Sequence, residues 1–178
     1  MAADTREILA AFAVVLVNDP TLTDPTNGIL PLFGPDNLAS DRKNSIFYTR
    51  PPTVRTLPCV VLADVFSGPS IKNQQERKSR RQIVGIDVEI WGQSAGGGTA
   101  ADLGAITAEI DALMEGGGSG VGSSGAPWWN GAMDTADWQF EGIDTSDHWQ
   151  AFPMTDLKGS RVIERRIKTF WVTAADKT

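Results

Sequence analysis

Gln82-Ile83-Val84-Gly85-Ile86-Asp87-Val88-Glu89-Ile90-Trp91 is the stretch on which the fold turns. Val84, Ile86, Val88 and Ile90 alternate with Gly85, Asp87 and Glu89. A period of two predicts a strand with one covered face and one wet or interfacial face. Downstream, Gly96-Gly97-Gly98-Thr99 leads into a helix with Thr99 as N-cap and Asp102 in the first turn, where it favours the dipole. Leu103, Ile106, Ile110 and Leu113 form its apolar stripe, thinned by Ala105, Ala108 and Ala112, and Gly116 ends it. Upstream, Leu57 to Phe66 is dense in strand formers, with Pro58 at its beginning or on an edge. These two strands are expected to pair antiparallel across a protruding polar loop, residues 67–81.

The outer segments extend this pattern. Ile8, Leu9, Phe12, Val15 and Leu16 recur at helical spacing after Asp4 and Glu7, which have capping-box spacing, and Asn18-Asp19-Pro20 ends that helix. Pro20 to Ser45 reads as a long ordered loop with at most one helical turn, pinned by Ile29, Leu30, Leu32 and Phe33. Ile46 to Arg50 is a short strand stopped by Pro51-Pro52. Gly116 to Gly125 is a flexible Gly/Ser connector, and residues 126–157 form an acidic insertion holding Trp128, Trp129, Trp138 and Trp149. Within it Trp138-Gln139-Phe140 is expected to be a strand and Ile143 to Met154 irregular. Arg161 to Thr173 is the last strand. The order predicts a single α+β domain over residues 1–178, an antiparallel sheet with two main helices on one side.

Composition narrows the chemistry. The 178 residues are 41% apolar and 21% charged, ordinary for a soluble globular chain, and no apolar run approaches the ~20 residues of a membrane span. One cysteine, Cys59, excludes an intramolecular disulfide and a cysteine-built zinc site. It lies in an apolar strand, as a small buried hydrophobe does. One histidine, His148, leaves little for acid–base work near neutral pH. The net charge of −6 is unevenly spread: Gln82 to Leu157 holds twelve acids and no lysine or arginine, whereas the rest carries all 16 basic residues against ten acids. Most concentrated are Lys72, Arg77, Lys78, Arg80 and Arg81, opposed within 72–81 only by Glu76. Unlike surfaces on one molecule favour head-to-tail self-association, closing as a ring or running on as a filament.

Site by site, the enzyme case is thin. The glycines of 92–98 lack the Lys-Ser/Thr that a phosphate loop needs, so they read as a hinge. Asp137, Glu141, Asp144 and Asp147 beside Trp138 and Trp149 are the ingredients of a sugar site, for binding or for carboxylate-pair hydrolysis. The competing reading makes the tryptophans anchors in the core or at a protein interface. The basic loop has the sign for phosphate contact, but the chain is acidic overall and no recognition helix accompanies it. No cofactor, metal or catalytic residue is expected.

Four stretches carry a family likeness: REILAAFAVVLVND with the proline-rich loop after it, LPCVVLADV, IVGIDVEIWGQSAGGGTAADLGAITAEIDALM, and SRVIERRIKTFWVTA near the C-terminus. Their order resembles the tail terminator, or tail completion, proteins of long-tailed bacteriophages. The Gly/Ser connector and the tryptophan-rich insertion depart from that pattern. The family has no short signature, so no functional residue carries over position by position. The resemblance implies a non-enzymatic virion protein, assembled in the host cytoplasm. It implies a ring, usually of six, on the head-proximal end of the tail tube, which stops tube growth and presents a head-joining surface. Its partners would be further copies of itself, the tail tube protein and the head–tail connector proteins; a neck or head-completion connector is the nearest rival role. On this reading Lys72, Arg77, Lys78, Arg80 and Arg81 dock on a neighbour or on a tube subunit. Asp87 and Glu89 face the lumen or a neighbour, and Trp128 and Trp129 are interfacial. An acidic lumen would let DNA slide past with only transient, non-specific contact.

Overall fold

The structure, a computed structural model, describes residues 5–34, 38–48, 56–67, 71–72, 80–93, 100–114, 133–145, 148–155 and 162–177. Three α-helices, α1 (Thr5–Val17), α2 (Pro20–Thr23) and α3 (Ala100–Met114), accompany seven strands among these residues. The strands are β1 (Ile46–Tyr48), β2 (Cys59–Ser67), β3 (Ile71–Lys72), β4 (Arg80–Gln93), β5 (Trp138–Thr145), β6 (Gln150–Thr155) and β7 (Val162–Asp176). They form one sheet in the order β1-β2-β4-β7-β5, with β3 beside β4 and β6 beside β7. The class is α+β, as the sequence predicts.

Two long strands are the axis of the sheet. β4 and β7 pair antiparallel over 13 positions, from Arg81 opposite Ala175 to Gln93 opposite Ile163. On one face of β4, Val84, Ile86, Val88 and Ile90 are buried with Phe170 and Val172 of β7, Val60 and Leu62 of β2, and Phe140 of β5. Ile8, Phe12, Val15 and Leu16 of α1 and Leu103, Ile106, Ile110 and Leu113 of α3 close this core from the same side. At Gly92 the contact is so close that a Cβ would lie 2.4 Å from Leu103 Cδ2, which explains a glycine at the strand's end.

β2 and β4 pair antiparallel as expected, with an irregularity between Asp64 and Phe66. The connection differs from a bare loop: within it Ile71 and Lys72 form a two-residue strand that pairs with Arg81 and Arg80. The sheet is also mixed, because β1 runs parallel to β2. A parallel neighbour normally needs a long crossover. β1 has only three residues, so the segment 49–58 suffices to carry the chain back; it includes a cis Leu57–Pro58 bond.

Two further expectations change. Ile143 to Met154 is not irregular: β5 continues to Thr145 and β6 begins at Gln150. Both are antiparallel to β7 along the same edge, β5 against Phe170–Asp176 and β6 against Val162–Ile167, like one outer strand in two pieces. Pro20 also starts a helix as well as ending one: Asp19 caps α2 by accepting from Leu22 N at 2.9 Å, with Pro20 in the first turn.

The 20–45 segment holds α2 and a 3₁₀ turn, Arg42–Ser45, and is ordered by side chains bonding its carbonyls. Asn44 Nδ2 donates to Phe33 O at 2.8 Å, Ser45 Oγ to Pro31 O at 2.8 Å, and Arg42 to Leu30 O. Leu30 and Phe33 are buried and Ile29 is partly buried against the core. Leu32 instead points to solvent, since its neighbours on both sides take the inward positions. The boundaries at Asp4 and Thr99, the connector 116–125 and Arg50 lie outside the described residues.

Candidate assembly surface

Of the candidate residues, Lys72, Arg80, Arg81, Asp87 and Glu89 lie on strands of the sheet. Lys72 closes β3 and Arg80 opens β4 opposite it, so the backbone puts both at the base of one hairpin. Arg77 and Lys78 fall between them, outside the described residues, as do Trp128 and Trp129. Arg81 is exposed and is already engaged, its Nε 2.9 Å from Glu141 Oε2 on β5. The hairpin therefore brings Lys72, Arg80 and Arg81 together at the end of the sheet that also holds the start of β5.

Asp87 and Glu89 occupy the face of β4 away from the helices, as their parity predicts, but they do not form a bare acidic surface. Glu89 receives Arg165 through both carboxylate oxygens, Nε to Oε2 at 3.0 Å, and Trp91 Nε1 donates to the same Oε2 at 2.9 Å. The Arg165 guanidinium lies over the Trp91 ring, 5.6 Å from its centroid. Asp87 accepts from Thr169 Oγ1 at 2.6 Å. A bidentate arginine with aromatic cover is the strong form of a charge pair. Its partner comes from β7, which sequence separation concealed.

Four ion pairs among the described residues share this long-range character. Arg81–Glu141, Arg165–Glu89, Lys168–Asp111 and Lys177–Asp134 each join a basic residue from outside the acidic span to an acid within it. A chain segregated by sign along its length thus closes on itself across β4, β5, β7 and α3.

Lys168 deserves its own account, because burying an ammonium is costly unless it is matched. It is 4% exposed, on the helix-facing side of β7, and reaches Asp111 Oδ1 on α3 at 2.8 Å. Asp111 Oδ2 accepts from Trp149 Nε1 at 2.9 Å, and Trp149 packs edge-on to Phe170 with centroids 6.3 Å apart. Trp138 is buried with Phe140 on the same side of the sheet. Trp138 is therefore a core anchor and Trp149 is partly buried against the core, as the anchor reading of the tryptophans expects. Glu141 and Asp144 line a shallow depression over β5 with Arg81, Gln139 and Thr173, and no tryptophan contributes to it among the described residues. Asp137 and His148 are exposed, and Asp147 is outside the described residues. Cys59 is buried as expected.

A second acidic contact lies under the helices. Asp19 is buried, and burial, aided by the nearby Glu109 carboxylate, pushes its carboxyl above the ordinary value against the lowering effect of the Leu22 amide. Asp24 is held below the ordinary value by the amides of Asn27 and Thr26, at 2.7 and 2.9 Å. Among the described residues no three His, Cys, Asp or Glu side chains converge as a metal site, and no helix is long and apolar enough to cross a membrane.

Phe33, Cys59 and Val61 are buried apart from the main core, and Phe33 meets Phe47 edge-on at 5.7 Å between centroids. Trp171 lies across Gly85, where a Cβ would come within 2.7 Å of its ring. No protein-family model and no curated protein sequence matches the chain. Among solved structures, a chain of a virion of a native gene transfer agent particle is similar in fold, with a TM-score of 0.50 and 14% identity, over 97% of this chain and 99% of that one.

Proposed function

We propose that this chain is a structural component of a phage-like virion, a ring-forming terminator at the head-proximal end of a tail tube. The observation that carries the reading is the full-length likeness of fold to a chain of a gene transfer agent virion. Two features support it. The four stretches that resemble tail terminators become α1, β2, the β4–α3 unit and β7, which together build the core. Among the described residues, Arg81, Arg165 and Lys168 are each paired with an acid of another element, which braces the subunit internally.

In this role the basic hairpin (Lys72, Arg77, Lys78, Arg80 and Arg81) docks against a neighbouring copy or the tube, with Trp128 and Trp129 at a contact. On the face bearing Asp87 and Glu89, Arg165 neutralises Glu89 whereas Asp87 keeps its charge beside the Thr169 hydroxyl, so any DNA passing it meets fewer negative charges than the sequence alone suggests. Electron microscopy of the protein with isolated tail tubes tests the reading. A ring on one tube end is the expected result; rings only on portals would assign the connector role, and no binding to either would refute both. Charge reversal of Arg77, Lys78, Arg80 and Arg81 to Glu is expected to weaken assembly with the monomer still folded. Assembly indifferent to that change and to salt would refute the docking role of the hairpin.

A further inference from the structure

We propose that copies of this chain join edge to edge, β1 of one against β6 of the next, so that the sheet continues from subunit to subunit. The inference rests on the self-assembling reading above and supplies its lateral contact.

Position comes first. β1 and β6 are outermost strands on opposite sides of the sheet. They also share one transverse row: Ile46 pairs with Val60, Val60 with Ile90, Ile90 with Arg166 and Arg166 with Ala151. The adjacent row runs from Phe47 through Val61, Glu89 and Ile167 to Gln150. A second copy set alongside at the same level therefore brings its β6 to the first copy's β1.

Direction agrees. β1 is parallel to β2 and so opposed to β4, whereas β6 is opposed to β7 and so runs with β4. With the helices of both copies on the same face, β1 meets β6 antiparallel, the slightly more stable ladder.

Chemistry selects the same pair. Natural edge strands are commonly guarded by charge. Ile46-Phe47-Tyr48 and Gln150-Ala151-Phe152-Pro153-Met154-Thr155 carry none, whereas β5, on the same edge as β6, carries Glu141 and Asp144. Pro153 removes a donor and leaves Gln150–Phe152 ahead of it, the length of β1. Exposed large apolar side chains mark both edges: Tyr48 at 49% on β1, Leu32 and Leu38 in the loop that feeds it, and Phe152 at 43% on β6. Two different edges that pair in this way make a heterologous contact, which closes as a ring when the rotation permits.

The test uses full-length wild type, Tyr48→Lys and Phe152→Lys, each checked for folding by thermal melting, with mass followed by sedimentation velocity. Wild type is expected to assemble and each variant to remain monomeric. An equimolar mixture of the variants should give a one-to-one dimer: the intact β1 of one meets the intact β6 of the other, and growth stops there. Assembly of both variants at wild-type level would overturn the edge contact and leave the ring reading standing. Dimerisation of one variant alone would show like edges pairing and would also overturn it. A wild type that stays monomeric, with and without tail tubes, would overturn both readings. Hydrogen exchange of assembled and dilute wild type needs no variant: slower exchange at Ile46–Tyr48 and Gln150–Phe152 is expected, and unchanged exchange there refutes the contact.

Discussion

Asp111→Ala is expected to destabilise the protein far beyond an ordinary α3 substitution. The Lys168 ammonium is buried and lies 2.8 Å from the carboxylate, while Trp149 uses the other carboxylate oxygen. Breaking a buried pair by removing one partner costs about 3–5 kcal/mol. Two features place this case at the low end of that range. The Asp111 side chain is 28% exposed, so water reaches the vacated space. The ammonium also stays 5.5 Å from the Phe170 ring centroid, a contact worth roughly 0.5–2 kcal/mol. A loss of about 3 kcal/mol, at ~2–4 °C per kcal/mol for a chain of this size, lowers Tm by roughly 6–12 °C. Lys168→Met removes the charge from the other side and leaves Asp111 its bond to Trp149 and its access to water, so it should cost less than Asp111→Ala. The double variant should then be less impaired than Asp111→Ala alone, with a coupling above ~1 kcal/mol in urea unfolding. Additive losses, or a cost under ~1 kcal/mol for Asp111→Ala, would refute the assignment of Lys168 and Asp111 as a buried pair.

Three further outcomes follow from packing and charge. Glu109→Gln removes a like charge from beside Asp19. The raised folded value of Asp19 means its favourable contribution is complete below the unfolded value of 3.8 and is lost as pH rises through the folded value. The variant should therefore gain up to about 1 kcal/mol at pH 7 and nothing at pH 3, read as a pH series of melting curves; an equal gain at both would count against it. Gly92→Ala drives a methyl into Leu103 and should cost about 1–3 kcal/mol in chemical denaturation. Trp138→Ala empties a core position and should cost about 3–5 kcal/mol; a stable variant would put that ring on the surface.

What could be read from the chain follows from how each element is held. β4 and the two main helices announce themselves because one face of each is buried against the core, which writes a period of 2 or 3.6 into the residues. β6 is silent: Gln150, Ala151, Phe152 and Pro153 are all exposed, so no alternation results, and the strand exists because β7 offers it a ladder. β5 beyond Phe140 is equally obscure, since Glu141 bulges and Gly142 has no side chain. The parallel placement of β1 depends on a connection whose path is not a matter of pattern. Of the candidate surface, the parity of Asp87 and Glu89 was legible, yet their pairing was not, because Thr169 and Arg165 lie 82 and 76 positions away. Trp138 and Trp149 were ambiguous for a related reason: burial of an indole depends on what faces it, which for Trp149 is Asp111 of α3 and Phe170.

The β4–β7 ribbon has a mechanical consequence. Its 13 paired positions extend about 43 Å at ~3.3 Å per residue, roughly twice the ~20 Å of the 13-residue helix α1. Pulling its two strands lengthwise in opposite directions would load their interstrand bonds together in shear, whereas peeling an end apart would load them in succession. Such a ribbon acts as a tie beam, passing tension from one end of the subunit to the other with little stretch while the helices ride on its middle.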